Sequence, residues 1–500
     1  MAVALASLLA LWAVVAALGA LKTSRGDLAA AAQRGLFGAV ACAFIAVGVL
    51  VVALVGNDFS VRFVADNSSW HMPQRFIPVA LLNDAGGALL VWAALAGAAA
   101  LVAARTAAPA PRAWITIVTG AALAVGLSIV AMVADPFAAT VAAVADGVAI
   151  APALQNGSAA THAIALLVAA AAVLPAYALT VAAVATRSLD DRWSLQMRWW
   201  NAVVWCALVV ALVAGARWTA VTPLRGPWLA DRATILWIVP AVIGAWLIHL
   251  DAGRATAGRV VQRVVLSTIL FVALTGTIAL LSGAFVQGFD PHTTRTDGTP
   301  GDPGAWFAAA AVGAIVLAAF MFRATRGAIV AHRVSDAHAP HMVGAWFAHA
   351  GFILVAGAVI GGAFTRSHDI ALADAAVFEV RDPFGHEWAF ASQGVSTLRR
   401  ENYASLTVSL LPTRDGDRLT MLSAEARSYI SDDPRASPRE GFTAGAVSNA
   451  FMETRLAITD PDASPQAVRV SFVPLAPWLV PGALLIVLGT LVPLVADRKA

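Results

Sequence analysis

The chain has almost no cysteine. Cys42 and Cys206 are the only two, each inside an apolar run, with no Cys-x-x-Cys and no partner at matching depth. That excludes a disulfide-stapled scaffold and a thiol-redox site, and both read as small core residues. Charge is scarce as well: 13% of the 500 residues are Asp, Glu, Lys or Arg, against 59% apolar. A soluble chain of this length needs far more charge to cover its surface. The net charge is only +3 and the basic residues form no patch or stripe, so nucleic acid is not a partner. No internal repeat is present, and no low-complexity tract beyond the Ala/Val richness of the apolar runs. Also missing are a Ser/His/Asp set, a His-Glu-x-x-His motif and a phosphate-binding glycine loop. Residues 1–21 lack a basic n-region, and so read as a retained helix rather than a cleaved signal.

What the chain does have is uncharged runs long enough to cross a hydrocarbon layer of about 30 Å as helices. Their pattern predicts spans at roughly 2–21, 35–55, 78–104, 113–133, 161–186, 199–216, 233–250, 264–286, 305–322, 344–364 and 473–495. The expected fold class is therefore an all-α polytopic membrane protein of about eleven transmembrane helices. Residues 366–472 break the pattern, with eleven of the 33 basic residues and half of the 30 acidic ones. Short alternating runs there, at 376–380, 405–410 and 468–472, are separated by Asp-Gly and Asp-Pro turns and predict a small β-rich domain. The expected organisation is a helical bundle at 1–365, an extracytoplasmic β-rich domain at 366–472, and a final helix with a cytoplasmic tail at 473–500.

Orientation follows from Lys and Arg. With the N-terminus outside, sixteen lie in cytoplasmic segments and six in short outer loops, the 366–472 residues being set aside because large domains translocate regardless of charge. The C-terminus then lies inside, in a cell membrane crossed many times.

Ionisable groups inside spans are few and informative. Of ten histidines, His332, His338 and His341 fall in an expected cytoplasmic loop, His368 and His386 in the β-rich domain, and His71 and His292 in outer loops. His249, near the end of one span, and His349, near the start of another, both fall within about two helical turns of the cytoplasmic face. Two neutral imidazoles at matched depth can supply both axial positions of a haem iron. Equally, each can hydrogen-bond across the bundle or face headgroups. Small residues around His349 permit close approach of a planar group or of another helix. His162 begins the fifth span on the outer side, as a ligand there or as a solvated boundary residue. The sixteen tryptophans, Trp70, Trp92, Trp218, Trp228 and Trp237 among them, suit an interfacial belt or a porphyrin-docking surface.

The order of these features resembles the CcmF/NrfE family of cytochrome c haem lyase subunits over nearly the whole chain. Asp58 to Ala65 is similar to the family's first outer loop, and Gly87 to Trp92 to its G-S-L-L-L-W helix. Asp135-Pro136-Phe137, Asp146-Gly147 and Leu154-Gln155 followed by His162 resemble its N-P-F … D-G … L-L-Q … H-P-P passage. Phe271 to Gly276 and Gly344 to Gly351 resemble F-L-T-R-S-G and G-x-x-x-A-H-x-G. Asn402-Tyr403-Ala404 and Glu425 to Tyr429 are similar to N-Y-x-A and E-K-R-x-Y. The family's W-G-G-x-W-x-W-D-P-V-E-N loop is reduced to Gly226, Trp228 and Asp231 within Leu224 to Ile235. An earlier W-G-G-x-E is replaced by Leu82 to Gly86, and the second outer histidine by Ser282 or Gln287, with His292 nearby as a substitute.

The resemblance implies that His249 and His349 are axial ligands of a haem b, and that His162 holds an outer haem beside Trp228 and Asp231. It implies cytochrome complex assembly: haem transport and presentation to apocytochrome c for thioether attachment, as a haem lyase subunit. Implied partners are apocytochrome c, a haem-delivery chaperone, other maturation subunits, membrane lipid and quinol. Two other classes stay open: an electron-transfer or scaffold subunit keeping only haem b, and a non-haem membrane assembly or transport protein.

Overall fold

The computed structural model describes residues 1–141, 144–188, 191–221, 339–362, 365–372, 377–400, 402–430, 439–443, 446–460 and 467–497. The chain divides into two compact units, one holding the N-terminal helices and the other the C-terminal helices and strands.

In lipid every backbone N–H and C=O must find its partner within the chain, and the apolar runs of the first unit meet that demand as helices. They are α1 (Ala2–Thr23), α2 (Gly26–Val55), α3 (Arg62–Asn67), α4 (Ile77–Asn83), α5 (Ala85–Thr106), α6 (Pro109–Ile129), α7 (Gly157–Thr186) and α8 (Asp191–Val221). Among the described residues six stretches are long and apolar enough to cross a membrane: Ala2–Thr23, Gly26–Val55, Ala85–Thr106, Pro109–Ala134, Gly157–Thr186 and Leu195–Trp218. They coincide with the first six expected spans. α1 stops where Ser24 turns left-handed at φ 56°, and α2 restarts with Asp27 in its first turn, where a carboxylate suits the helix dipole. Alanine-rich faces then let the helices approach closely: Ala6, Ala10, Ala13, Ala39 and Ala93 are all fully buried.

Several boundaries differ from expectation. α2 and α8 begin at Gly26 and Asp191, not 35 and 199, because charged residues at a helix end add turns without entering the hydrocarbon. The expected span 78–104 is two helices. Asp84 is extended (φ −114°, ψ 150°) and caps α5, its carboxylate accepting from Gly86 N–H at 2.8 Å. The expected spans at 233–250, 264–286 and 305–322 lie outside the described residues.

The second unit contains α9 (Ala339–Gly362) and α10 (Leu479–Asp497), the helices flanking the strands. They run antiparallel and almost touch. A Cβ added to Gly351 would lie 2.4 Å from the Gly482 carbonyl oxygen, and one on Gly489 would lie 2.5 Å from that of Gly344. Glycine is required at these crossings because the obstacle is backbone. His341 sits in α9 rather than in a loop, since the helix starts at Ala339. α10 starts at Leu479 rather than 473 because Val473 and Pro474 complete a strand.

Among the described residues ten strands lie between Arg366 and Pro474: β1 (Arg366–Ala371), β2 (Val377–Arg381), β3 (Glu387–Arg399), β4 (Tyr403–Arg414), β5 (Asp417–Arg418), β6 (Leu422–Tyr429), β7 (Arg439–Thr443), β8 (Ala446–Ser448), β9 (Met452–Asp460) and β10 (Ala467–Pro474). The alternating runs 405–410 and 468–472 read from the sequence fall in strands, as do residues 377–380 of the first run, whose residue 376 lies outside the described residues. One sheet has the order β1-β10-β9-β8 and the other β2-β3-β4-β6-β7, with β5 on β4. Alternation buries Trp388, Phe390, Val408, Leu456, Val470 and Phe472 in one core. β1 pairs with β10 from Arg366↔Phe472 to Ala371↔Ala467. Across that pair Arg469 makes a bidentate ion pair with Asp369 at 2.7 and 2.9 Å, which holds the Asp369 carboxyl below its ordinary range.

The glycine crossing yields a test. In Gly482→Val the new side chain meets the Gly351 oxygen at 2.8 Å and the Val355 nitrogen at 2.9 Å, so α9 and α10 must part. Overpacking of this kind costs ~1–3 kcal/mol or more, and thermal unfolding in detergent is expected at a clearly lower Tm. Gly26→Ala, which meets nothing within 4 Å, should leave Tm unlowered.

Candidate functional site

At the end of the first unit where α2 and α6 finish and α5 and α7 begin, two loops form a cross-linked cap. Arg62 N–H donates to the Ala138 carbonyl at 2.8 Å and Thr140 N–H to Ser60 at 2.9 Å, closing a one-residue bridge between Val61 and Ala139. Asp146 is the hub. Its carboxylate, 6% exposed, accepts from Ser69 Oγ at 3.0 Å, Trp70 N–H at 2.9 Å and Gly147 N–H at 2.8 Å. Three donors compensate a charge removed from water. Gly147 must be glycine: a Cβ there would stand 2.1 Å from the Ser68 carbonyl oxygen. The Trp70 indole donates to the Ala145 carbonyl at 3.2 Å and meets Phe59 edge-on, yet Trp70 stays 61% exposed. A side-chain amide relay, Asn83 to Asn67 at 2.7 Å and Asn67 to the Phe63 carbonyl at 2.9 Å, ties α4 to α3.

His162 lies five residues into α7, about 7 Å below this cap. Asn156 starts the helix, its side-chain oxygen accepting from Ala159 N–H at 2.9 Å. The imidazole is 4% exposed, so it is no solvated boundary residue. Its Nδ1 is 2.8 Å from the Ala211 carbonyl oxygen in α8. A carbonyl can only accept, so Nδ1 carries the proton, and in the neutral ring Nε2 carries the lone pair. That is the arrangement in which a backbone carbonyl orients a metal-ligating histidine.

Of the other expected site residues, His249, Trp228, Asp231 and His292 lie outside the described residues. Position 349 is on α9, one residue beyond Ala348, which together with Gly344 and Gly351 meets α10. Of the two uses foreseen for those small residues, the close approach of another helix is the one observed. Among the described residues no group of three or more His, Cys, Asp or Glu side chains is placed to hold a metal ion. What sequence reasoning missed is the role of Asp146, visible beforehand only as the Asp-Gly pair of a motif resemblance. Its one available signal was an acidic residue in a segment otherwise lacking charge.

No protein-family model matches the chain. It is 30% identical over 256 residues to the cytochrome c-type biogenesis protein CcmF of Pseudomonas fluorescens, covering 50% of this chain and 39% of that one. It is 26% identical over 326 residues to CcmF of Escherichia coli K12, covering 63% and 49%. The chain thus spans less than half the length of these curated relatives. The solved structure of cytochrome c haem lyase CcmF superposes with a TM-score of 0.72 at 18% identity, over 98% of this chain and 96% of that one, and so shares its fold. Fold and site together define a multi-pass helical membrane protein with a β-rich region before its last described helix. The chain is thus similar in sequence to the CcmF cytochrome c-type biogenesis proteins and shares the fold of one of them.

Two outcomes follow from the geometry. Asp146→Ala strands three donors, each bond to a charged acceptor being worth ~1.5–3 kcal/mol, and amide exchange at 57–76 and 139–149 should rise sharply while exchange in α1 is unchanged. In ¹⁵N-histidine-labelled protein the His162 ring, where neutral, should carry its proton on Nδ1; a neutral ring protonated on Nε2 would contradict the bond to Ala211.

Proposed function

We propose that the protein acts in cytochrome c biogenesis, as the haem-binding subunit that presents haem to apocytochrome c for thioether attachment at the outer membrane face. The observation that carries this is the His162 imidazole, its tautomer set by the Ala211 carbonyl beneath a cap of polar cross-links, in a chain with the fold of a haem lyase. The donor chemistry fits: with Nδ1 carrying the proton, Nε2 of the His162 imidazole would be the atom that holds haem iron. When bound, haem supplies vinyl groups to which apocytochrome thiols add. The chain's own part is to bind and orient. His162 positions the iron and its carbonyl partner fixes the ring, while Trp228 and Asp231 line the outer site and His292 stands in as a second outer ligand. His249 and His349 would hold a haem b nearer the cytoplasmic face, which would supply electron transfer from quinol. Residues 1–365 act as the haem-handling bundle, 366–472 as an extracytoplasmic domain and 473–500 as a final span with its tail, the N-terminus outside and the C-terminus in the cytoplasm. Apocytochrome c, a haem-delivery chaperone and other maturation subunits are the partners.

The reduced loop at Leu224 to Ile235, and Ser282 or Gln287 where the second outer histidine falls, favour one second reading: a subunit that keeps haem b for electron transfer or scaffolding and has lost the outer site. Purified protein should show a Soret band that diminishes in His249→Ala and His349→Ala. In cells, His162→Ala should cut c-type cytochrome by more than the ~10–100-fold typical of losing a group that merely orients a ligand. A stable, colourless protein overturns the proposal. Unchanged cytochrome formation in His162→Ala leaves only the second reading.

A further inference from the structure

The turn between β8 and β9 carries a large apolar side chain that the fold does not use. Asn449-Ala450-Phe451 is a tight turn: the Asn449 side-chain oxygen accepts from both Phe451 N–H and Met452 N–H at 2.9 Å, and Asn449 N–H donates to the Met452 carbonyl at 2.9 Å. Phe451 is nevertheless 57% exposed. Burying a phenylalanine side chain is worth ~1.5–3 kcal/mol, and none of the sheet core takes it up.

This turn is clamped to the start of α10. Leu475 N–H donates to the Phe451 carbonyl at 2.6 Å, and the Trp478 indole N–H donates to the Ala450 carbonyl at 2.8 Å. The rings of Phe451 and Trp478 lie 6.1 Å apart, tilted at 58°. Leu475 adopts φ 57° to make the corner, a left-handed conformation held by these contacts.

The depth of this pair follows from its helices. Trp478 lies over Gly357 of α9, where an added Cβ would meet ring carbons at 3.0 and 3.3 Å. Gly357 is five residues inside the end of α9, about 7 Å along its axis. Trp478 also falls within the apolar stretch Ala476–Val492. From Ala476 to Asp497 the helical residues reach about 33 Å, little more than the ~30 Å of hydrocarbon, so the first turn sits near the membrane boundary. An indole with an apolar body and one polar N–H is suited to that boundary.

We propose that the β8–β9 turn is a membrane contact of the β-rich region, with Phe451 entering the headgroup–acyl boundary of the phospholipid beside Trp478. The occupant is lipid, not a protein groove: the pair stands at the boundary end of a helix whose Val480, Leu484 and Leu488 are exposed at helical spacing. The turn then fixes the height of the sheets above the bilayer, as a second attachment besides the chain crossings.

The test uses the full chain in phosphatidylcholine nanodiscs, with Cys42→Ala and Cys206→Ala in the background and a bimane label on Phe451→Cys. Acyl-chain spin-labelled phosphatidylcholine should quench the label at least twofold more than aqueous iodide does. Dominant iodide quenching overturns the proposal, and so does a label shielded from both quenchers, which would mean that protein covers the turn. Should Phe451→Cys fail to fold, Ala450→Cys serves, since Ala450 holds Trp478 through its backbone carbonyl alone.

Discussion

A polypeptide inside hydrocarbon has no water to satisfy its backbone, and everything described here follows from how this chain meets that demand. Where the sequence is apolar, helices close their own hydrogen bonds. Where helices end, the freed groups are caught by side chains: Asp84 on Gly86, Asn156 on Ala159, and Asp146 on three donors drawn from two loops. The cap above His162 is therefore a consequence of helix endings at one face of the bundle. It also stiffens the surroundings of a ring whose own polar atom is satisfied by a helix carbonyl.

The same demand explains where the strands fall. Sheets with edges do not survive in lipid, and the ten strands occupy the charged segment that cannot enter it. Their pairing begins at the membrane. Gly361 of α9 packs on the Pro474 backbone, and Arg366 pairs with Phe472.

Much of this was legible beforehand. Six spans and the β character of 366–472 follow from run length, charge and period, which are local properties. The likeness to the CcmF proteins was legible in scattered short motifs such as Gly87 to Trp92 and Asp146-Gly147, and the curated relatives bear that likeness out. The break at Asp84 was not legible, because hydropathy averages over one capping residue. Nor was the burial of His162: a histidine five residues into a helix reads as a boundary residue until α8 is known to lie over it. Small residues at 344, 348 and 351 announced a close approach, but not that Gly482 and Gly489 would be what approaches.

The unbroken pairing of α9 with α10 and of β1 with β10 has a mechanical meaning. Two antiparallel segments joined along their length resist bending and twisting far more than two single-chain tethers would. The β-rich region is therefore mounted on a stiff shaft, not hung on a leash.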